Sequence, residues 1–290
     1  MQKENLTIEN FVSMYDDLKK RGALITNYYE DINYIRNLTL TNNCTLIQGE
    51  GSFFLLVPEF DFFELYYYSL SNDSLFNDLE DLLRLSEINS LKIKIVSRNQ
   101  EIEKTNDILF EKLGFSIAGR LLRLEQAPSS KLNKKKLDAI EQILSDLPDS
   151  ISSPRFAKID DLDNAYDLLS REFDPVVDSL PEKNDVLAGI NRNQVVVVYE
   201  GNKLIGCHYF ELKVGKYFGL FDVVDADYRA YGILFLIYKF VDKYLSTPEL
   251  NIKKRYGWRN FKRSTLIKAS KFNNDNFDGT VISIYFYKKG

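Results

Sequence analysis

The sequence has one histidine, His208, and two cysteines, Cys44 and Cys207, in 290 residues. A lone imidazole excludes metal centres built from several histidines. Two cysteines so far apart provide neither a disulfide framework nor zinc-ligand spacing, so no metal is expected. Long apolar runs are also missing. A membrane-spanning helix needs about 18 or more such residues, and "SFFLLV" and "LFLIYKF" are short enough to be core segments. The opening "MQKENLTIEN" is polar, without the apolar region of a secretory signal. The expected compartment is the reducing cytoplasm, with no membrane partner. A basic excess is lacking as well: net charge is −4 and the pI about 5.3. Phosphate backbones are bound by basic faces, so no nucleic-acid partner is expected. The lysines at 134, 135 and 136 read as a solvated linker face.

Core material is plentiful: 44% of residues are hydrophobic and 13% aromatic, enough for globular folding. A length of 290 residues fits about two domains of roughly 100–200 residues each. Richness in Asn, Lys, Ile and Tyr points to an AT-rich bacterial genome. The clearest seam opens with "QAPSSKLNKKK" and closes with "LPDSISSP". Between them Leu137, Ile140, Ile143, Leu144 and Leu147 keep a helical period. The expected division is residues 1–126, a linker with a helix over 127–153, and residues 154–290.

Each half shows one order of elements. In the first, Ile8, Phe11, Val12, Tyr15 and Leu18 mark a helix with Thr7 as N-cap. Strands follow at "TLIQGE", "SFFLLVP" and "FFELYYYSL", then a helix over 73–86, the strand "LKIKIVS", the helix "NDILFEKLGF" and the strand "FSIAGRLLRLE". The second half opens with "DDLDNAYDLLSREFD" as a helix and a short helix near 182–190. Three antiparallel strands turn at "EGNK" and "KVGK". A helix follows "VDADYRAYGIL", then a strand at "IKKRYGW", a helix at "FKRSTLIKASKF" and a last strand at "GTVISIYFYKK".

At the junction between the strand "YFGLFDV" and its helix, Arg229-Ala230-Tyr231-Gly232-Ile233-Leu234 is similar to the acyl-CoA loop of the GNAT (GCN5-related N-acetyltransferase) superfamily. That loop reads Arg/Gln-x-x-Gly-x-Gly/Ala. Arg229 and Gly232 match, Leu234 departs, and the lead-in "VDADY" has Ala226 in the family's proline position. The element order of both halves resembles the same fold. Physically, a helix N-terminus offers unpaired N–H donors and a positive dipole end to a pyrophosphate, and a glycine admits close approach.

The resemblance implies an α+β (mixed α/β) chain of two GNAT-like domains, each a mainly antiparallel sheet flanked by helices. It implies acetyl-CoA or another acyl-CoA as co-substrate and a small-molecule or peptide amine as acceptor. The backbone of Phe221, Val223 and Val224, and residues 229–234, would contact the acyl-CoA. In "GWRNFKRS", Asn260 and Ser264 match positions beside the pantetheine arm. The family's acid tyrosine has no match; Lys268 falls near its place. The first half keeps the phrase "LFEKLGF" but has no glycine in "ELYYYSLSNDSLFNDL", so it reads as a degenerate copy. Two linked copies imply a monomer that is an internal pseudo-dimer, or a homodimer.

Acylating an amine requires loss of a proton from nitrogen. Asp222 and Glu211 are the carboxylates nearest the expected reaction centre; desolvation there would raise either one toward a base. Solvated or lysine-paired strand residues are the alternative. His208 is a third candidate, with a satisfied core histidine as its alternative. Cys207 reads as a small buried hydrophobe, and Trp258 as packing beside Asn260. Three functions remain open: an N-acyltransferase, a non-catalytic acyl-CoA-binding or interaction protein, and, less favoured, a tRNA-dependent aminoacyl transferase.

Overall fold

The computed structural model describes residues 1–28, 32–41, 44–85, 88–126, 134–260 and 275–290. It divides into two compact units: Met1–Arg120 with Val281–Gly290 (unit 1), and Leu121–Thr280 (unit 2). The contiguous halves drawn on the sequence differ from these units at two strands. Strand β7 (Ser116–Glu125) passes into unit 2 at Leu121, and β13 (Asn276–Lys288) passes into unit 1 at Val281. Hydrophobic periodicity marks a strand but does not name its neighbour, so this arrangement lies beyond the sequence.

In unit 1 the strands run β1 (Gln2–Asn5), β3 (Thr45–Gln48), β4 (Ser52–Glu59), β5 (Phe62–Ser69), β6 (Ser90–Ser97) and β13, with β2 (Ile25–Thr26) on β5. Helix α1 (Ile8–Arg21) begins as expected: Thr7 Oγ1 accepts from the Asn10 N–H at 3.0 Å, and Lys19, Lys20 and Arg21 complement the dipole at its end. Its buried stripe is Phe11, Met14 and Leu18; Val12 points outward, 40% exposed. Helix α2 (Ile32–Thr41) was not anticipated, because Asn, Thr and Ile are indifferent helix formers. Tertiary packing carries it: Ile35 is wholly buried beside Phe53, Leu55 and Leu46. The opposite face holds α3 (Asn72–Leu83) and α4 (Gln100–Lys112), whose Leu79, Leu82 and Phe110 pack on Leu65, Ile93 and Tyr285. Full burial of each such side chain stabilises by about 1.5–3 kcal/mol. Helix α4 ends at Gly114, with φ 84°.

Unit 2 orders its strands β7, β12 (Lys254–Asn260), β11 (Lys216–Val224), β10 (Lys203–Lys213), β9 (Val195–Glu200) and β8 (Arg155–Phe156). The turns foreseen at "EGNK" and "KVGK" place Gly201 and Gly215 at φ 55° and 68°. One sheet face packs on α6 (Leu162–Glu172) and α7 (Lys183–Asn191) through Leu168, Leu169, Val186 and Ile190. The other packs on α8 (Ile233–Leu245) through Ile233, Ile237 and Val241. The linker helix α5 (Lys134–Ser145) lies against α8. The helix expected at "FKRSTLIKASKF", with Ser264 and Lys268, falls outside the described residues.

Candidate active site

Strand β11 pairs with β10 as His208↔Asp222 and Tyr209↔Phe221, and then as Phe210↔Gly219. Leu220 is therefore an extra residue, a bulge, which bends the strand. On its other edge β11 pairs in parallel with β12 only from Lys216↔Lys254 to Gly219↔Gly257. On its other edge β12 pairs with β7 from Tyr256↔Glu125, and beyond the glycines it keeps that partner alone, with Trp258↔Arg123, Arg259↔Leu122 and Asn260↔Leu121. The two parallel strands part and leave a notch of about 40 Å³. Its apolar wall is Leu121, Phe173, Leu220, Phe221 and Trp258; its polar groups are Asp178, Asp222, Arg259 and Asn260.

At the end of β11, Asp225 caps a turn by accepting from the Asp227 N–H at 3.2 Å. The 3₁₀ turn Ala226–Tyr231 leads to Gly232, at φ 72° and ψ 22°, which opens α8. The first N–H groups of that helix have no intrahelical acceptor. Leu234, the departure from the family pattern, packs against the core cluster of Ile233 and Ile237. Arg229 pairs with Glu172 at 2.6 Å and reaches the Val224 carbonyl at 3.4 Å. Ala230 and Tyr231 are exposed. The open side of Gly232 is not empty: a Cβ added there would overlap Cγ2 of Ile143 on α5.

Between β11 and α8 lies a buried polar cluster. A carboxylate only accepts, so the His208 Nδ1–H donates to Asp222 Oδ1 at 2.6 Å, and Nε2 meets the Tyr217 hydroxyl at 2.7 Å. The other Asp222 oxygen faces Arg259 Nη2 at 3.3 Å, and Tyr238 of α8 hydrogen-bonds the same carboxylate. Burial alone would raise Asp222. His208, with Arg259 and Tyr238, outweighs it and drives the carboxyl well below the usual carboxylate range. The expected upward shift is thus corrected: this carboxylate is held ionised and is a poor base. Glu211 is not among the notch residues and pairs with Lys213 at 3.4 Å. His208 is wholly buried on the Phe210 face, its ring 5.5 Å from that of Phe210. Cys207 is buried on the opposite face, and burial pushes its thiol up to about 12.

Phe221 and Val223 turn their side chains to the α6–α7 face, and Val224 to the α8 face. Of these three, Phe221 lines the notch, where Leu220 and Asp222 complete the β11 wall; Val223 and Val224 lie beyond it. Asn260 stands at its mouth, its Nδ2 donating to Asp178 Oδ1 at 3.2 Å. Sequence reasoning passed over Asp178, Phe173, Tyr217, Tyr238 and Arg259. Arg259 adjoins Asn260 in the quoted "GWRNFKRS", but the divergence of β12 from β11 that lets it reach Asp222 has no sequence signal. Among the described residues no group of three or more His, Cys, Asp or Glu side chains is placed to hold a metal ion, and no helix is long and apolar enough to cross a membrane.

The bulged strand, the notch and the glycine-capped helix sit in a GNAT-type acyltransferase fold, which the likeness to solved structures shows the chain to carry in tandem. A solved "Tandem GNAT protein from the clavulanic acid biosynthesis pathway" superposes with a TM-score of 0.62 at 9% identity, covering 100% of this chain and 98% of that one. An acetyltransferase from the GNAT family of Colwellia psychrerythraea gives 0.52 at 11% identity, over the full length of both chains. A GCN5-related N-acetyltransferase from Sphaerobacter thermophilus gives 0.56 at 11%, over 84% of this chain and 80% of that one. At such identities the likeness is one of fold. By sequence, no family model and no curated protein matches the chain.

Proposed function

We propose that the chain is an N-acyltransferase that moves an acetyl or other acyl group from acyl-CoA to an amine acceptor, in unit 2. The observation that carries this reading is the junction of β11 and α8. One strand supplies both the notch wall beyond Leu220 and, eight residues after Val224, the glycine that opens a helix. Pyrophosphate at the helix N-terminus would set the pantetheine arm along β11. Acyl transfer then draws chiefly on positioning of the thioester carbonyl against an acceptor amine. The apolar wall of Phe173, Phe221 and Trp258 suits a short acyl group, and the polar Asp178 and Asn260 beside it would meet the acceptor amine.

The second reading is an acyl-CoA-binding relative without turnover. It is favoured by Ile143 lying over Gly232 and by the Asp222–Arg259 pair spanning the notch. Two measurements separate the outcomes. Titration with acetyl-CoA, with ATP as phosphate control, should raise the melting temperature for the thioester alone, by about 4–8 °C at roughly 100 times the dissociation constant. A screen of free amines should then release CoA thiol. Binding without thiol release supports the second reading; no binding removes both.

A further inference from the structure

We propose that Arg259 is a catalytic residue of unit 2: its guanidinium takes up the negative charge that develops on the thioester sulfur as the carbon–sulfur bond breaks. The inference rests on the acyl-CoA reading above. In the transfer, the amine nitrogen attacks the carbonyl carbon and the carbon–nitrogen bond forms. The carbon–sulfur bond then breaks, sulfur leaves with the electron pair as a thiolate, and the amine proton passes to water. Something in the notch must meet that thiolate. The hydroxyls nearest by are committed: Tyr217 to His208 and Tyr238 to Asp222, and burial raises both far above the usual phenol range. Among the described residues lining the notch, Arg259 is the one cation.

Its placement fits the task. Arg259 is 8% exposed and lies on β12 two residues past Gly257, the last residue paired with β11. The guanidinium folds back to where the strands part: a Cβ on Gly257 would come within 3.3 Å of Nη1. Gly219, the partner of Gly257, immediately precedes the Leu220 bulge, so the cation sits level with the bulged residue. Nη1 donates to the Trp258 carbonyl at 3.0 Å and Nη2 faces Asp222, two of the five donors a guanidinium owns. Asp222 is fixed in turn by His208 and Tyr238, so Asp222 and His208 act as positioning residues for Arg259. The charged or titratable groups that act on it are Asp222 and Tyr217 from β11, Tyr238 from α8, and Asp275 ahead of β13. A buried charge aimed at a developing anion acts more strongly than it would in water.

The test is ultraviolet thiolate absorbance of free CoA bound to the whole chain, titrated with pH, alongside turnover with acetyl-CoA. The wild-type complex should form thiolate at least about one pH unit below free CoA. Arg259→Gln should bind CoA, lose that shift and lower kcat about 100-fold or more, with KM little changed; Arg259→Lys should restore part of both. Because Arg259→Gln strands Asp222, the paired variant Arg259→Gln with Asp222→Asn removes both charges and keeps the experiment readable. CoA bound to the wild type with an unshifted thiol, or a shift that survives in the paired variant, overturns the role of Arg259 and leaves the acyl-CoA reading standing. Failure of the wild type to bind CoA overturns that reading, and Arg259 falls with it.

Discussion

Both units part a parallel strand pair, but they use the gap in opposite ways. In unit 1, β5 pairs with β6 only at Phe63↔Leu91 and Glu64↔Lys92. The freed edge of β5 is taken by β2, with Ile25↔Ser69 and Thr26↔Tyr68. Asn27 then ties the edges together. Its Nδ2 donates to the Leu65 carbonyl at 2.8 Å and the Lys94 carbonyl at 3.3 Å, and its Oδ1 accepts from the Tyr67 N–H at 2.7 Å. The helix start is filled too. Ser71 caps α3 directly after β5, and Asp78 of α3 accepts from the N–H groups of Glu50 and Gly51. Unit 2 has a notch lined by side chains and an eight-residue junction from Asp225 to Gly232. In unit 1 the gap is thus closed by the unit's own strand and the Asn27 carboxamide, and in unit 2 it stays open as the notch.

The sharpest way to break the comparison is at the two helix starts. Gly232→Val forces a β-branched residue to φ 72°, a strain of about 1–3 kcal/mol, and drives a side chain into Ile143. Acetyl-CoA affinity should fall more than about 100-fold, a loss of about 2.7 kcal/mol. In unit 1, Ser71→Ala removes a cap worth about 1 kcal/mol and should leave affinity untouched. Calorimetric titration of both variants decides; wild-type affinity in Gly232→Val would remove the site from unit 2.

Next in size is Asn27→Ala. It orphans buried backbone groups on β5, at about 1–3 kcal/mol for each group left without a partner. The thermal midpoint should drop by several degrees while CoA stoichiometry stays at one. A second equivalent of CoA would show that filling alone, and not the missing glycine, disables unit 1.

These contrasts were unevenly legible beforehand. The strand and helix order, the Thr7 cap, and the turns at Gly201 and Gly215 follow from local pattern, because capping and positive φ act within a few residues. The Arg229–Gly232 loop was visible as a motif. The filling of unit 1 was not: Asn27 sits in "LITNYYE", where nothing local shows that its carboxamide bridges two strands distant in sequence. The direction of the Asp222 shift was left between two alternatives for the same reason. Desolvation can be guessed from an apolar strand, but His208 and Arg259 reach Asp222 only through the register of β10 and the divergence of β12.

A pH profile separates the units further. Glu59 in unit 1 is raised to about 7 by burial and by the charge of Glu64, whereas Lys94 and Lys92 outweigh burial at Glu64 and hold it down at about 2. A carboxyl whose folded pKa exceeds its unfolded value of 4.5 binds its proton more tightly when folded. Its contribution is therefore full below pH 4.5 and is lost as pH rises toward 7. Glu64 has the opposite sign and loses its contribution as pH falls from 4.5 toward 2. Glu59→Gln should flatten the decline between pH 4.5 and 7 in denaturant midpoints, and leave the fall below pH 4.5 in place. An unchanged slope in the variant would assign the decline to other groups.

The smallest expected effect tests the covering of Gly232. Ile143 is 38% exposed, so its truncation removes little buried surface. Ile143→Ala should cost unit 2 only about 0.5–1 kcal/mol of stability, since a half-exposed side chain forfeits part of the full burial gain. Yet Cγ2 of Ile143 occupies the space next to Gly232 where an added Cβ would lie, and under the proposed reading a pyrophosphate would approach there. On that reading an acyl-CoA would turn this side chain aside on binding, and the alanine variant is spared that step. Affinity for acetyl-CoA should therefore tighten a few-fold, a gain of about 0.5–1 kcal/mol. Free CoA should gain equally, because both carry the same pyrophosphate. Unchanged affinity for both would mean that the phosphates reach α8 from a side Ile143 does not cover. A gain for acetyl-CoA alone would place the effect at the acyl group rather than at the loop.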